Sequence, residues 1–179
     1  KSPLPLSSDL GWSRANLYKY VTTKEEIFLC LMSDKFKAYV TALLSALPEG
    51  CEFSSDVVAE VWAGIANAHR DYFKYGNILS TIIETNVSID KLADFKAIYY
   101  EGVHQLTEQL SPILAIKPEV MEQFITSIYY QGVGLCGSCL HNPLIQQALQ
   151  QLKIKPLQID FKTEMRDFIS MSISWYQQK

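Results

Sequence analysis

The sequence has no apolar run that is long and pure enough to predict a membrane-spanning helix. Its longest uncharged stretch, residues 123–152, is interrupted by Gln, Ser, Gly, His, Asn and Pro, and this composition is more typical of a buried helix. A charged and then apolar leader with a small-residue cleavage site is also missing. We therefore expect a cytoplasmic protein with no membrane partner.

The motifs that most often carry catalysis are absent as well. The sequence contains no Gly-rich phosphate loop, no nucleophile motif and no His-Glu-x-x-His. Glu101-Gly-Val-His104 matches Glu-x-x-His, but a di-metal helical bundle needs a second such motif and further carboxylates. His69, His104 and His141 are far apart in sequence. These observations favour a protein that is not an enzyme, with no catalytic residue, cofactor or metal site. A helical-bundle enzyme or interaction protein is the alternative of another class.

A large excess of charge of either sign is lacking. The formal net charge is −3, which argues against a protein that coats nucleic acid over its whole surface. A local basic patch is still compatible with DNA binding. Four basic residues and one acidic residue precede Glu25, so the N-terminal end is locally basic.

Cysteine is scarce, and without a secretory signal the four thiols are expected to be reduced. Cys136-Gly-Ser-Cys139 is a single Cys-x-x-Cys, and His141 follows it. We favour small residues on a tightly packed helix, because no second Cys-x-x-Cys and no βαβ pattern accompany it. The alternative is a redox or metal switch at these three residues.

What the sequence does contain is apolar periodicity at spacings of three and four, without convincing strand alternation or an internal repeat. The pattern predicts an all-α fold. Helices are predicted over residues 24–46, 54–75, 78–87, 90–110, 118–140 and 160–176, with a short helix and a loop in residues 144–159.

Capping and breaking residues mark the ends of these helices. Thr23 and Glu26 form a Ser/Thr-x-x-Glu capping box. Further N-caps are predicted at Ser54 or Ser55, Asp90 and Asp160. Gly76-Asn77 is expected to separate two helices, and Pro112 to close the fourth helix or kink its last turn.

The most specific local signal lies in residues 10–28. Gly11 stands where a helix would end, and Ser13 could cap a short helix from about Arg14 to Val21. The capping box at Thr23 then starts a longer helix. Two short helices around a Gly-containing turn, followed by a longer helix, are typical of a helix-turn-helix.

The residues of this motif point to a known family. Gly11-Trp-Ser-Arg-Ala-Asn-Leu-Tyr-Lys-Tyr20, followed by Thr23-Lys-Glu-Glu-Ile-Phe28, resembles the end of the DNA-binding region of the TetR family of transcription regulators. The resemblance implies an all-helical homodimer whose small N-terminal domain reads operator DNA and whose larger C-terminal domain binds an inducer and dimerises. We accordingly expect a partial DNA-binding domain in residues 1–30 and a ligand-binding and dimerisation domain in residues 31–179. Members of the family carry a further helix before this stretch, so the true N-terminus is expected to lie before Lys1.

Eight residues of the motif are candidates for DNA contact. Four of them lie in the first turn of the recognition helix, the part usually nearest the base edges: Ser13, Arg14, Ala15 and Asn16. Arg14 suits guanine, Asn16 suits adenine, and Ala15 could approach a thymine methyl. The positions where family members hold phosphates are occupied by Tyr18, Lys19 and Tyr20. Lys24, at the N-terminus of the long helix, is a further candidate for a phosphate contact. The alternative is that Arg14 and Lys19 form an ordinary solvated face and that Tyr20 is core.

The resemblance also implies an inducer pocket enclosed by the middle helices. Aromatic side chains with polar tips suit a cavity that is apolar yet offers a few hydrogen bonds. The candidates are Trp62, Ile65, His69, Tyr72, Phe73, Tyr99, Tyr100, His104, Phe124 and Tyr129, with Ile82 and Tyr130 beside them. For each residue alone, ordinary core packing is the alternative. The expected ligand is a small, largely apolar or aromatic molecule.

The last two long helices, residues 118–140 and 160–176, resemble the family's usual dimer surface, a four-helix arrangement across a two-fold axis. Gly132, Gly134 and Gly137 are unusual in a helix interior. They indicate that another backbone approaches closely, at this interface or within one subunit, or that the helix breaks near Gly134. Such a dimer would present two recognition helices to the half-sites of a palindromic operator.

The function predicted from the sequence is therefore a ligand-responsive transcriptional regulator, most simply a repressor that a small inducer releases from operator DNA. The alternative within the same fold is a thiol- or metal-responsive regulator that uses Cys136, Cys139 and His141.

Overall fold

The computed structural model describes residues 23–138, 143–155 and 158–179. Helices account for nearly all of the regular structure in these ranges and no strand occurs in them, so the predicted all-α class is confirmed. The helices are α1 (Lys24–Ala46), α2 (Ser55–Ala68), α3 (Arg70–Lys74), α4 (Gly76–Ile78), a π-helical turn (Leu79–Ile83), α5 (Ile89–Leu114), α6 (Pro118–Ser138), α7 (Pro143–Gln151) and α8 (Phe161–Tyr176).

The N-termini of three helices carry the side-chain caps that local chemistry predicts. The hydroxyl of Thr23 accepts from the backbone N–H of Glu26 at 3.1 Å, and that of Ser54 accepts from the backbone of the next turn at 3.3 Å. A carboxylate oxygen of Asp160 accepts from the backbone N–H of Thr163 at 2.9 Å. Each bond satisfies one of the N–H groups that a helix start leaves without an intrahelical partner.

The predicted cap at Asp90 is wrong. The helix begins at Ile89, and Ser88 occupies the cap position with extended backbone angles. The hydroxyl of Ser88 donates to the Glu26 carboxylate at 3.2 Å. This contact joins two segments that are distant in the chain, so no local sequence pattern predicts it. Asp90 lies in the first turn instead, where a negative charge interacts favourably with the helix N-terminus.

The predicted helix over residues 54–75 is interrupted at His69. The backbone there adopts φ −105° and ψ 30°, and α3 begins at the next residue. Two adjacent residues, Tyr72 and Phe73, are both buried in α3, which packs against α1 and α6. Gly76 does not separate two helices as predicted but begins α4, and it is buried.

Pro112 lies inside α5, which continues to Leu114. The predicted closure of the helix at Pro112 is therefore wrong, and a kink in its last turn stays a prediction. The helix ends at Ala115, which takes a left-handed conformation with φ 51°.

Helix α6 runs without a break through its glycines, so the alternative of a break near Gly134 is wrong. At Gly132 the close neighbour is a side chain and not a backbone. A Cβ added there would clash with the ring of Phe73, whose Cε1 would lie 2.7 Å away. This glycine therefore serves packing within the subunit.

The core is built from two layers of helices. Helix α8 packs on α2 and α6, while α1 packs on α5. Trp62 lies at the centre with no exposed surface, donates its indole N–H to the hydroxyl of Tyr39 at 2.6 Å, and meets the ring of Phe124 edge-on. Across the described part of the chain, none of the helices combines the length and the apolar character needed to cross a membrane.

Candidate ligand-binding pocket

A cavity of about 530 Å³ opens between α1, α3, α5 and α6 and the π-helical turn. Its volume falls in the range of small-molecule sites. The aromatic side chains that line it are Phe36, Tyr72, Phe95, Tyr99, Tyr100, Tyr129 and Tyr130. The polar side chains that line it are Asn77, Ser80, Thr81, Glu84, Lys96, Glu122 and Thr126.

The aromatic rings support one another. Phe36 of α1 lies between two tyrosines, with ring centroids 5.5 Å from Tyr72 and 5.3 Å from Tyr99. Tyr72 in turn lies 5.3 Å from Tyr129 of α6. The cavity wall on this side is therefore a continuous set of ring contacts that joins the four helices α1, α3, α5 and α6, and such contacts contribute stability beyond burial alone.

Two glycines make room for these rings. A Cβ added at Gly102 would lie 2.6 Å from Cε1 of Phe36, and one at Gly76 would lie 2.7 Å from the hydroxyl of Tyr129. Any larger residue at either position would push its ring away. The glycines of α4 and α5 thus fix where the aromatic wall stands.

One ion pair lies in the wall. Nζ of Lys96 lies 2.7 Å from Oε1 of Glu84, and the lysine ammonium also lies 5.6 Å from the ring centroid of Phe95. The Glu84 side chain is mostly buried, with 18% of its surface exposed. Glu122, by contrast, is exposed at the rim beside the exposed ring of Tyr130.

Three tyrosine hydroxyls of the wall, those of Tyr72, Tyr99 and Tyr129, have a raised pKa and stay neutral at physiological pH. Burial raises the pKa of Tyr72 well above its ordinary value, and neighbouring Tyr129 adds to the effect. Burial also raises the pKa of Tyr129 and of Tyr99, with smaller contributions from nearby carboxylates. Within the described part of the chain, the hydroxyls of Tyr72 and Tyr129 form no hydrogen bond. Two phenols are therefore available to a bound molecule.

The structure brings four of the ten predicted pocket residues to this cavity: Tyr72, Tyr99, Tyr100 and Tyr129. Tyr130, which was considered beside them, also lines it. That any of these side chains binds a ligand stays a prediction.

The other six predicted residues lie elsewhere. Trp62, Phe73 and Phe124 have no exposed surface and belong to the core, and Ile65 packs against that core. His69 faces an outer groove on the opposite side of Tyr72. His104 is exposed, with Nε2 3.5 Å from Glu108. Helical spacing indicates which residues face inward, but not whether the inward side meets another side chain or an empty space.

The end of α1 nearest the helix-turn-helix motif is tied to segments that flank the cavity. Glu26 is buried and accepts from Ser88, the residue before α5. The ring of Phe28 meets Tyr75 edge-on at 5.5 Å, one residue before α4.

Most of the predicted DNA-contacting residues, Ser13 to Tyr20, lie outside the described residues. Lys24 is the first residue of α1, and 78% of its side chain is exposed beside Glu25. Cys139 and His141 also lie outside the described residues. Cys136 is buried, with Sγ 3.8 Å from the carbonyl oxygen of Arg70, which agrees with a packing role. The described residues contain no group of three metal-ligating side chains.

A family model described as a tetracyclin repressor-like, C-terminal domain matches residues 33–177. The matched range contains every described side chain that lines the cavity. The comparison with curated proteins found no match.

Proposed function

Because the chain belongs to the TetR family of transcriptional regulators, we propose that it is a ligand-responsive, DNA-binding repressor that acts in the cytoplasm as a homodimer. A small molecule in the cavity would release it from a palindromic operator. Membership of the family points to a regulator and not to an enzyme. The observation that carries the proposal is the path of α1, which begins beside the helix-turn-helix motif and places Phe36 in the cavity wall.

The domain division proposed here follows the same helix. Residues 1–30 would form the partial DNA-binding domain and residues 31–179 the ligand-binding and dimerisation domain. Helix α1 crosses this boundary without a break. Ligand binding and DNA binding would therefore be coupled through a rigid element and not through a flexible linker.

The coupling would use two arrangements of the cavity wall. A ligand that prefers one position of Phe36 and the π-helical turn shifts the protein towards that state. The same shift alters the Glu26–Ser88 and Phe28–Tyr75 contacts at the other end of α1. π-helical turns are frequent at functional sites because they loosen the regular hydrogen-bond pattern, and this one lines the cavity with Leu79.

For DNA, we propose the contacts that the motif predicts. Arg14 and Asn16 would read base edges, with Ser13 and Ala15 beside them. Phosphates would be held by Tyr18, Lys19, Tyr20 and Lys24. Support from the described residues is limited to Lys24, whose exposed ammonium stands at the N-terminus of α1.

The proposed dimer surface combines α6 and α8. Its support is a set of apolar side chains that the subunit leaves uncovered: Tyr130 is 68% exposed, Met171 64% and Trp175 60%. Met171 and Trp175 are four residues apart and lie on one face of α8. A dimer interface would cover these exposed apolar side chains. Helix α7, which lies between α6 and α8 in the sequence, also buries none of its residues.

Operator binding by full-length protein tests the DNA-binding proposal. Binding to the DNA upstream of its own gene, and to sequences selected from a random pool, would be measured over a series of salt concentrations. Arg14→Ala should weaken specific binding by about 1–3 kcal/mol and lower the discrimination at one base. Lys37→Ala removes the same charge from an exposed position in the middle of α1 and is the control. Equal binding by both variants and the wild type would contradict the proposal.

The oligomeric state tests the dimer surface. Met171→Glu should shift the protein to monomers in sedimentation velocity, because a buried, unpaired charge at an interface is unfavourable. Leu31→Glu makes the same change at an exposed apolar residue of α1 and should leave the dimer intact. A wild type that sediments as a monomer, or two variants that behave alike, would refute the assignment of this surface.

A further inference from the structure

The charges of the cavity wall are unevenly distributed. Among the described residues that line it there are two carboxylates, Glu84 and Glu122, one cation, Lys96, and neither arginine nor histidine. Since Lys96 is paired with Glu84 at 2.7 Å, the negative charge of Glu122 is not balanced by any cation among the described lining residues. A bound anion would meet two carboxylates and only a lysine that is already neutralised.

The wall already holds one ammonium group. Lys96 lies between a carboxylate and the face of an aromatic ring, at 2.7 Å from Glu84 and 5.6 Å from the Phe95 centroid. This is the arrangement in which a cation is attracted both by a carboxylate and by the negative face of the ring. A cationic ligand would make the same two kinds of contact, one with a carboxylate and one with an aromatic ring.

The remaining wall offers further surfaces of the same type. The rings of Tyr72, Tyr99, Tyr129 and Tyr130 surround the space between the buried wall and Glu122 at the rim. Ring faces attract organic cations, and this attraction is stronger where water is excluded. The phenol oxygens of Tyr72 and Tyr129, which form no hydrogen bond within the described residues, can accept from an ammonium N–H.

We propose that this pocket takes a lipophilic organic cation, with an amine or quaternary ammonium group among the tyrosine rings near Glu122 and an apolar body in the rest of the cavity. That the cation acts as an effector rests on the proposed function, whereas its binding to the cavity does not. Its binding can be measured without DNA.

Three probes of one shape test the charge preference. Benzyltrimethylammonium carries a positive charge, neopentylbenzene replaces the ammonium nitrogen by carbon, and benzylsulfonate carries a negative charge. Calorimetry and displacement titrations with the full chain should show that the cation binds about tenfold tighter than its neutral counterpart. Tighter binding by the neutral or anionic probe, or binding by none of them, would overturn the proposal.

Three variants test which side chains cause the preference for a positive charge. Glu122→Gln should lower the affinity for the cation severalfold and leave that for neopentylbenzene unchanged. Glu119→Gln changes the same helix by the same charge, but it does not line the cavity and should have no effect. Glu84→Gln should release Lys96 and raise the affinity for benzylsulfonate. A cation-to-neutral ratio that is equal in Glu122→Gln and the wild type would refute the assignment.

Operator release separates this inference from the proposed function. Cation binding that leaves operator affinity unchanged would contradict the effector role and support the ligand class. Failure of full-length protein to bind any operator would contradict the proposed function, while the three-probe comparison would still decide the ligand class.

Discussion

Removal of one oxygen from the core should destabilise the protein measurably. The hydroxyl of Tyr39 accepts the indole N–H of Trp62 at 2.6 Å, and both side chains are buried. In Tyr39→Phe the ring stays and the acceptor is lost, so the N–H is left buried without its partner. The penalty for such a group is about 1–3 kcal/mol. For a chain of this length, that corresponds to a fall in Tm of about 2–12 °C.

The measurement is urea unfolding followed by circular dichroism, with thermal scans beside it, at one fixed protein concentration because dimerisation would also change the midpoint. Tyr100→Phe removes the same oxygen from an exposed ring and should change the free energy of unfolding by less than about 0.5 kcal/mol. A double-variant cycle with Trp62→Phe should give a coupling energy of about 0.5–3 kcal/mol.

Two results would refute this reasoning. One is a loss in Tyr39→Phe no larger than in Tyr100→Phe. The other is additivity of Tyr39→Phe and Trp62→Phe, since two groups that bond to each other must couple. Either result would mean that packing, and not the hydrogen bond, holds Tyr39 and Trp62 in place.

Three further predictions concern packing, capping and pH. Gly102→Ala should lower the free energy of unfolding in urea by about 1–3 kcal/mol, because the new Cβ would lie 2.6 Å from a ring carbon of Phe36. Gly64→Ala is the control, since its Cβ meets only a lysine carbon at 3.9 Å. Equal losses of stability in the two variants would contradict this prediction. Ser54→Ala should cost about 1 kcal/mol and Ser54→Asp much less, and similar losses would argue against capping. The free energy of unfolding should stay constant through neutral pH and fall above about pH 10, because the unfolded chain then releases phenol protons that the folded state retains. Urea unfolding at a series of pH values measures this. A profile that stays flat above about pH 10 would contradict the raised pKa of Tyr39, Tyr72 and Tyr129.

The sequence predicted the helix starts at Thr23, Ser54 and Asp160, because a cap depends on a side chain and a backbone N–H only a few residues apart. It also predicted the full extent of α1. It missed the break at His69, after which Tyr72 and Phe73 are both buried where α3 packs against α1 and α6. Such an outcome depends on residues distant in the chain.

The cavity shows the same limit. Tyr72 and Trp62 occur in similar helical patterns, yet one lines a cavity and the other fills the core. Glu84 and Lys96 were not among the candidates, since charged residues between apolar ones are usually part of a solvated face. Only the folded chain shows that both side chains line the cavity and that their charged atoms lie 2.7 Å apart.

The length of α1 sets how far its start would move if, as proposed, a ligand rotates the helix. Phe36 lies twelve residues after Lys24 in one unbroken helix, a distance of about 18 Å at 1.5 Å per residue. A rotation of about 10° about Phe36 would displace Lys24 by about 3 Å. Neighbouring base pairs are about 3.4 Å apart along the DNA axis. Under the proposed function, a rotation of α1 by this small angle would therefore shift its start by nearly one base-pair step.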